Sequence, residues 1–293
     1  MEVFVQHIDA FSSVPNKGNP AGVVLDGDNY TELQMLEIAK KVGFNETVFV
    51  VASEIADFRF RYFTPGHENN LCGHATMGAI YALKMNGDLK SDEIAIETNV
   101  GVLPLVIECS SIKMKQAKPT FKEFRGSRLE LAKSIGLSEK ELHPDYPIMY
   151  GSTGIWTLII PIKKLSSFVK MNPQTDTFPE VLNEMPRASL HPFCFEVRDK
   201  ESFMHGRHFS SPYSGTIEDA VTGTASGVMG AYYQKFVHRE IQLPSTLIVE
   251  QGHEMNKDGK VYVHLEGQRD ELDVYISGNA VHVKEFMVEL NEM

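Results

Sequence analysis

Glu46 is the first candidate for proton transfer in this sequence, because of where its carboxyl group stands. It follows a predicted helix stop at Gly43 and precedes a β-rich apolar run, residues 47–52. A carboxyl group at the point where a strand enters the core can have a raised pKa, in the range that suits a general base. A glutamate at such a junction is also a common solvated turn residue. Position alone leaves both interpretations open.

Two glycine-led motifs, Gly73-His74 and Gly223-Thr224, are predicted to begin helices. Backbone N–H groups at a helix start attract anions, and glycine lets a ligand approach the backbone closely. The alternative is that each motif is only a tight turn, with His74 and Thr224 as helix caps. Because the motif occurs twice, we predict that the two helix starts hold a carboxylate.

Asp219 and Cys72 stand just before these two helix starts. Asp219 can accept hydrogen bonds from an amine or hydroxyl group of a ligand, and it can also stabilise the positive end of the helix that follows. Cys72 could be a reactive thiolate near a helix start. An epimerase with two opposed thiols needs a second cysteine between Asp219 and Thr224, and that segment has none. We therefore interpret Cys72 as a packed small residue.

The residues around these motifs occur in two similar copies. Arg61-Tyr62-Phe63-Thr64 precedes the first helix start, and Arg207-His208-Phe209-Ser210 precedes the second. Each copy continues into a helix of small and apolar residues with almost no charge, which is typical of a helix buried on most sides. We expect two α+β lobes of similar shape, whose helix starts can face each other across one cleft.

The remaining elements are strands and helices separated by turns. Residues 3–11 read as a strand, and the alternation of apolar and polar residues at 58–62 predicts a strand with one buried face. Thr31 and Gln34 form a predicted capping box at the start of a helix that ends at Gly43. The segment 117–120 is predicted to cross from one lobe to the other.

Composition and charge exclude several classes of protein. The 293 residues are 42% hydrophobic and 23% charged, which allows a substantial core, and the formal charge of −11 argues against a nucleic-acid partner. Cys72, Cys109 and Cys194 have no CxxC or Cys/His spacing, so neither disulfides nor a metal site is predicted. The start of the chain lacks a signal-peptide pattern, and no apolar run is long enough to span a membrane. We expect a cytoplasmic protein without a membrane partner.

Taken together, six motifs resemble the phenazine biosynthesis PhzF-like family. They extend from the first strand into the last third of the chain, so that the resemblance covers essentially all of it, and they are specific only as a set. They are Gly18-Asn19-Pro20-Ala21-Gly22, Asn45-Glu46-Thr47, Phe63-Thr64-Pro65, Leu71-Cys72-Gly73-His74-Ala75-Thr76, Glu218-Asp219 through Thr222-Gly223, and Glu250-Gln251-Gly252.

The resemblance implies a diaminopimelate-epimerase-like fold. This is an α+β fold of two pseudo-symmetric lobes, each a curved, mostly antiparallel sheet around a central helix, with the active site between them. We place an N-terminal lobe at residues 1–117, to which the last strand at about 282–293 can return, and a C-terminal lobe at residues 118–281. The resemblance also implies an enzyme without a cofactor that is commonly a homodimer.

The resemblance further implies roles for individual residues. In the family's isomerase, a glutamate matching Glu46 moves a proton between carbons of a dihydro-hydroxyanthranilate, and residues matching His74 and Asp219 assist in binding and proton handling. Backbone groups that match three positions hold the substrate carboxylate: Gly73, Gly223 and Thr224.

The sequence departs from the family pattern at three places. Ala220 stands where the family usually has proline, and Thr224-Ala225-Ser226 stands where it has Ser-Ala-His. The first loop reads Glu68-Asn69-Asn70, where an acidic residue commonly precedes Leu-Cys. These changes leave the acid–base pattern intact, but the family's named substrate is not carried over.

The sequence therefore favours a cofactor-independent isomerase that moves a proton within a small carboxylated substrate. Two alternatives stay open. An amino-acid or hydroxy-acid racemase or epimerase uses the same fold, and needs a second base that faces the first. A non-catalytic small-anion-binding protein keeps the carboxylate site but tolerates the loss of Glu46.

Overall fold

The computed structural model describes residues 1–108, 111–269 and 271–290. Cys109 and residues 291–293 of the predicted final strand therefore lie outside the described residues. Contacts group the chain into two units, Met1–Met114 with Ser277–Met293, and Lys115–Ile276. The first unit is thus built from both ends of the chain, and the second is one continuous segment.

Among its described residues, the first unit contains two α-helices, a short 3-10 helix at Gly27–Asn29, and most of the strands of the first half of the chain. The helices are α1 (Glu32–Val42) and α2 (Gly73–Asn86). The strands are β1 (Glu2–Ala10), β2 (Asn19–Val24), β3 (Glu46–Val51), β4 (Phe58–Phe63), β5 (Glu68–Asn69), β6 (Glu93–Thr98), β7 (Gly101–Glu108) and β8 (Ser111–Lys115).

The strands of the first unit form a mixed arrangement. The pairs β1–β2, β3–β4, β4–β5, β6–β7 and β7–β8 are antiparallel, whereas β2–β3 and β4–β6 are parallel. On its other side, β1 pairs with residues 280–289, near the end of the chain. The last strand therefore completes the first unit.

Helices α1 and α2 pack on opposite faces of these strands. A Cβ atom on Gly22 would meet Val42 of α1, whereas one on Gly78 of α2 would lie 3.3 Å from the Cβ atom of Ala21. Helix α1 has the predicted capping box of Thr31 and Gln34, and it ends at Gly43 with φ 73°. Helix α2 is buried along most of its length, as its uniformly apolar sequence predicts.

In the described part of the second unit there are three α-helices and a π-helical turn at Tyr233–Val237 that follows the last of them. The α-helices are α3 (Arg128–Ser134), α4 (Phe178–Val181) and α5 (Gly223–Tyr232), and the 3-10 helices are Glu139–Glu141, Leu165–Lys170, Thr175–Thr177 and His253–Met255. The strands are β9 (Thr120–Glu123), β10 (Met149–Ser152), β11 (Trp156–Pro161), β12 (Ser189–Cys194), β13 (Met204–Gly206), β14 (His208–Phe209), β15 (Glu218–Asp219), β16 (Ser245–Gln251), β17 (Gly259–Gln268) and β18 (Glu271–Glu289), which continues into the first unit.

Helix α5 lies close to the strands of the second unit. A Cβ atom on Gly230 would lie 2.6 Å from Val263 Cγ1 of β17, and one on Gly151 of β10 would lie 2.7 Å from Val228 Cγ2 of α5. Small residues are therefore needed where helix and strand backbones approach each other. A separate apolar cluster includes residues of α3, α4 and β11, for example Leu131, Phe178 and Leu158.

The predicted α+β class is confirmed by this content of helices and strands. The description as two pseudo-symmetric lobes stays a prediction, although each unit has one central buried helix that follows a glycine-led start. Among the residues described, no helix is both long and apolar enough to cross a membrane.

Candidate active site

Glu46 lies at the first position of β3 and is buried, with 6% of its surface exposed. The strand register places Glu46 beside Ala21, and Ala21 contacts Gly78 of α2. Because paired residues of neighbouring strands point to the same face, the Glu46 side chain lies on the face covered by α2. The structure therefore favours a carboxyl group inside the unit over a solvated turn residue.

The partner of Glu46 is an asparagine that the sequence analysis mentioned only as a departure from the family. Asn69 Nδ2 donates to Glu46 Oε1 over 2.5 Å. The other side of this amide, Oδ1, lies 3.0 Å from His67 Nε2, and His67 Nδ1 lies 3.2 Å from Thr64 Oγ1. The contact between the His67 ring and the Asn69 amide thus fixes the orientation of the amide, so that its N–H group points toward the Glu46 carboxylate.

Tyr62 lies beside Glu46 and stays neutral. Its hydroxyl group is 2.7 Å from Thr76 Oγ1, which in turn donates to the Cys72 carbonyl over 2.8 Å. Burial raises the pKa of Tyr62 far above its usual value, and the nearby Cys72 and Glu46 raise it further. Tyr62 therefore supplies a neutral hydroxyl group to this part of the unit.

Helix α2 begins at Gly73, as predicted, with Cys72 as its N-cap residue. The Cys72 side chain makes no capping hydrogen bond. It is a half-buried thiol whose Sγ lies 3.2 Å from His74 Nδ1. His74 is also half-buried, so Cys72 and His74 form a thiol–imidazole contact at the helix start. This contact was not foreseen when Cys72 was interpreted as a packed residue.

Asp219, Gly223 and Thr224 lie together in the second unit. Asp219 is half-buried in β15, and its Oδ2 accepts a hydrogen bond from Thr222 Oγ1 over 2.5 Å. Helix α5 begins at Gly223, as predicted, and Thr222 as N-cap makes no capping hydrogen bond through its side chain. Thr153 Oγ1 donates to the Thr224 carbonyl over 3.1 Å. The sequence-predicted groups of the second unit are therefore neighbours along one loop and one helix start.

A buried pair of histidines that no sequence motif predicted stands next to Asp219. His208 pairs with Asp219 across β14 and β15, and its Nδ1 lies 3.2 Å from His191 Nδ1. Burial lowers the pKa of both imidazoles, to about 4 for His208, where the Asp219 charge acts in the opposite direction. Both rings are therefore neutral near pH 7, and one Nδ1–H donates to the other nitrogen.

The repeated sequence gives the same ion pair in both units. Arg61 donates to Glu68 over 2.8 Å and 2.7 Å, and Arg207 donates to Glu218 over 2.8 Å and 2.6 Å. Each guanidinium group also lies over the phenylalanine two residues later, Phe63 or Phe209. These pairs fix the short strands that carry Asn69 and Asp219, because Glu68 and Glu218 directly precede those residues.

One group of side chains in the described part of the chain has the spacing to hold a metal ion. The ligand atoms of His205, Glu250 and His253 lie within 4.8 Å of one another. However, Glu250 already bonds His205 Nδ1 over 2.8 Å and accepts from two backbone N–H groups. Although burial opposes protonation, the contacts with Glu250 and Glu254 raise the pKa of His205. His205 lies two positions before Arg207, as Arg59 lies two positions before Arg61 in the first unit. Because Arg59 forms an ion pair with Glu97, we interpret the corresponding group of the second unit as a buried ion network.

The contacts within each unit therefore link the predicted site residues in two groups. In the first unit, Glu46 contacts Asn69, and Cys72 contacts His74. In the second unit, Asp219 contacts Thr222, which is joined to Gly223. Asn69, His191, His208 and Gln251 are the neighbours that reasoning from the sequence left out of the site.

An α+β fold with a buried carboxyl group and two glycine-led helix starts offers groups suited to acid–base and anion-binding chemistry. The sequence matches the model for phenazine biosynthesis-like proteins, PhzC-PhzF, over residues 8–286. The chain belongs to this family.

Individual relatives agree with this assignment. The chain is similar to the uncharacterized isomerase YfhB of Bacillus subtilis, with 50% identity over 286 residues that cover 96% of this chain and 97% of the relative. A crystal structure of the Bacillus anthracis phenazine biosynthesis protein, PhzF family, has a TM-score of 0.97 and 53% identity, and the match covers 99% of this chain and 100% of that one. The trans-2,3-dihydro-3-hydroxyanthranilate isomerase of Pseudomonas aeruginosa is 28% identical over 279 residues, 93% of this chain and 94% of the relative.

Proposed function

We propose that this protein is an isomerase that needs no cofactor and moves a proton between two carbons of a small carboxylated substrate. The observation that carries the proposal is the position of Glu46, a buried carboxyl group on the face covered by α2 that accepts a hydrogen bond from Asn69. A buried, oriented carboxylate is suited to remove a proton from an activated C–H group.

In this proposal, Glu46 takes the proton and returns it to a different carbon on the same face of the ligand. A single carboxylate can do both, because the second transfer regenerates its starting state. The hydrogen bond from Asn69 stabilises the ionised form, which is the form that acts first as a base. The neutral hydroxyl group of Tyr62 adds no charge that would oppose this step.

His74 and Asp219 assist, and backbone groups bind the carboxylate. His74 orients the substrate or relays a proton, and Asp219 holds an amino or hydroxyl substituent. The N–H groups at two helix starts stabilise the substrate carboxylate and the negative charge that develops as the proton leaves. These N–H groups belong to Gly73, Gly223 and Thr224.

The reaction type is proposed from the relatives' names, which include uncharacterized isomerases and trans-2,3-dihydro-3-hydroxyanthranilate isomerases. The substrate class is proposed more widely, as a small carboxylate with an amino or hydroxyl substituent. Ala220 and Thr224-Ala225-Ser226 differ from the family pattern next to Asp219, so the group that contacts the substituent can differ too.

The test is proton transfer in D2O. The protein is incubated with trans-2,3-dihydro-3-hydroxyanthranilate and, in parallel, with a panel of small amino- and hydroxy-carboxylates, and deuterium uptake is followed by mass spectrometry and NMR. Glu46→Gln should lower turnover by roughly 10²- to 10⁴-fold while ligand-induced thermal stabilisation is kept. Glu93→Gln, which changes an exposed glutamate of β6 in the same unit, should leave turnover unchanged.

Three outcomes would overturn the proposal in different ways. Retained turnover in Glu46→Gln would remove the carboxylate from its role as base. Deuterium uptake at a substrate α-carbon with loss of chirality would identify a racemase or epimerase. Thermal stabilisation by a carboxylate, without exchange of any carbon-bound hydrogen, would identify a protein that only binds small anions.

A further inference from the structure

One buried side-chain amide holds the loop between Asp219 and the start of α5. Gln251 is the last residue of β16 and has no exposed surface. Its Nε2 donates to the Asp219 carbonyl over 2.8 Å and to Thr222 Oγ1 over 3.3 Å, and its Oε1 accepts from the Thr222 N–H over 3.2 Å. Both ends of the loop are therefore bonded to the same amide.

The contact extends from the backbone to the Asp219 carboxylate. Thr222 Oγ1 donates to Asp219 Oδ2 and accepts from Gln251 Nε2. The hydroxyl proton of Thr222 is thus directed toward the carboxylate, because the amide N–H occupies one of the lone pairs of the hydroxyl oxygen. Gln251 in this way influences the orientation of Asp219 although it does not contact the carboxylate itself.

The residues on each side of Gln251 keep it in place. Glu250 accepts hydrogen bonds from the backbone N–H groups of Arg198 and Asp199 over 2.6 Å and 2.9 Å, which fixes the end of β16. Gly252 has φ 88°, and a Cβ atom there would clash first with the Lys257 carbonyl oxygen and would also lie 2.8 Å from the Ala220 carbonyl oxygen. A side chain at position 252 would displace the residue that follows Asp219. Within the motif Glu250-Gln251-Gly252, Gln251 bonds the loop, whereas Glu250 fixes the strand end before it and Gly252 allows the tight turn after it.

The first unit has no equivalent device at the matching position among its described contacts. The strand register pairs Arg59 with Glu97 in the first unit and His205 with Glu250 in the second. The residues that follow these two glutamates, Thr98 and Gln251, therefore occupy corresponding positions. Thr98 Oγ1 donates to the carbonyl of Gly101 in its own turn. The amide is thus a feature of the unit that carries Asp219.

We propose that Gln251 is a positioning residue of the substrate site, and that its amide holds the Asp219 carboxylate and the first N–H groups of α5 in the geometry that binds a carboxylated substrate. The role in substrate binding rests on the proposed function, whereas the effect on the loop does not. A glutamine is suited to this role because it offers a donor and an acceptor at the same time.

The test compares Gln251→Leu with Gln242→Leu, which changes an exposed glutamine of the same unit. Hydrogen–deuterium exchange is measured for the amides of residues 219–226 and, as a reference, for those of α2. In Gln251→Leu, the amides of 219–226 should exchange about tenfold faster or more, because two or three hydrogen bonds are lost, while α2 stays unchanged. The Kd of the probe 3-hydroxyanthranilate, an aromatic amino-hydroxy-carboxylate, should rise about tenfold or more.

Gln251→Glu adds a readout that a purely structural role would not change. A protonated carboxyl group offers a donor to the Asp219 carbonyl, and an ionised one does not. Burial beside the Asp219 carboxylate raises the pKa of a glutamate at position 251 above its usual value of about 4.3, so the Kd of Gln251→Glu, divided by that of the wild-type protein, should be lower at about pH 5.5 than at about pH 8.5. This variant also decides the question if Gln251→Leu does not fold.

The outcomes separate this inference from the proposed function. Faster exchange at 219–226 in a protein that binds no carboxylate supports the positioning of the loop and counts against the function. Normal carboxylate binding and normal exchange in Gln251→Leu, or a ratio for Gln251→Glu that does not depend on pH, would overturn the inference and leave the function standing.

Discussion

The side-chain amide of Asn69 donates a hydrogen bond to the carboxylate of Glu46, and the residue in the corresponding place of the second unit is Asp219. Both residues follow a glutamate that is paired with an arginine, Glu68 or Glu218. The two units thus share a local framework but present different groups from it, a donor in one and an acceptor in the other.

Replacement of Asn69 should impair Glu46 without unfolding the protein. In Asn69→Ala, the ionised carboxylate loses a hydrogen bond, and kcat/KM for proton transfer should fall by about tenfold or more. Asn70→Ala, which removes the neighbouring exposed amide, should have little effect. The measurement is the rate of deuterium transfer together with the Tm of each variant. Equal rates for the two variants would contradict a role of Asn69 in supporting the base.

The paired arginines should differ in their contribution to stability. The side chains of Arg207 and Glu218 are 8% and 11% exposed, against 19% for both Arg61 and Glu68, and Arg207 also donates to the carbonyls of Phe168 and Met171. Arg207→Ala leaves a buried carboxylate without its partner, which costs about 3–5 kcal/mol of unfolding free energy. Arg61→Ala should cost less, about 1–2 kcal/mol. Urea denaturation tests the order, and a larger loss in Arg61→Ala would contradict it.

Helix α5 should not tolerate a larger residue at Gly230. In Gly230→Ala, the new Cβ atom would lie 2.6 Å from Val263 Cγ1, so the helix or the strand must shift. We expect a loss of about 1–3 kcal/mol in unfolding free energy, despite the better helix propensity of alanine. Gly66→Ala, where only Thr64 Oγ1 lies within 4 Å, is the matched control and should stay within about 0.5 kcal/mol of wild type. A stabilised Gly230→Ala would show that the approach of helix and strand is looser.

The buried histidine pair should make the protein less stable as the pH falls. The pKa of His208 is lowered to about 4, so between about pH 6.5 and 4 the unfolded chain binds a proton that the folded chain does not. The free energy of unfolding should therefore decrease as the pH falls through this window, by about 2 kcal/mol between pH 6.5 and 5. Glu254, whose pKa is lowered to about 2, loses its contribution only as the pH falls below about 4.5, which lies outside the range of pH 6.5 to 5.

A matched pair of variants tests this assignment. His208→Gln keeps a polar side chain that does not titrate, and its stability should depend less on pH between 6.5 and 5 than that of the wild-type protein. His238→Gln changes an exposed histidine and should keep the wild-type pH dependence. Urea denaturation at each pH measures the difference. An identical slope in His208→Gln and the wild-type protein would show that His208 is not the group that titrates.

Local signals in the sequence were sufficient for the elements that are fixed by nearby residues. The capping box of Thr31 and Gln34, the end of α1 at Gly43 and the starts of α2 and α5 at Gly73 and Gly223 all depend on contacts within a few residues. Such contacts follow from residue type and spacing, and the structure confirms these helix ends.

The contacts around the site could not be predicted in the same way. Asn69 lies 23 residues from Glu46, His208 lies 17 residues from His191, and Gln251 lies 29 residues from Thr222. These pairs depend on strand register and on which face of the sheet each residue occupies, and a shift of one residue would reverse the face. The burial of Glu46 is of the same kind, because it depends on α2, which begins 27 residues later along the chain.

The pairing of β1 with the final strand has a consequence for synthesis on the ribosome. Residues 280–289 supply the partner of β1, so one side of β1 remains an open edge until these residues have been synthesised. The second unit, by contrast, is continuous and can fold as soon as it emerges. We therefore expect the middle of the polypeptide to mature before its beginning, and a nascent chain stopped before residue 280 to expose β1 to aggregation.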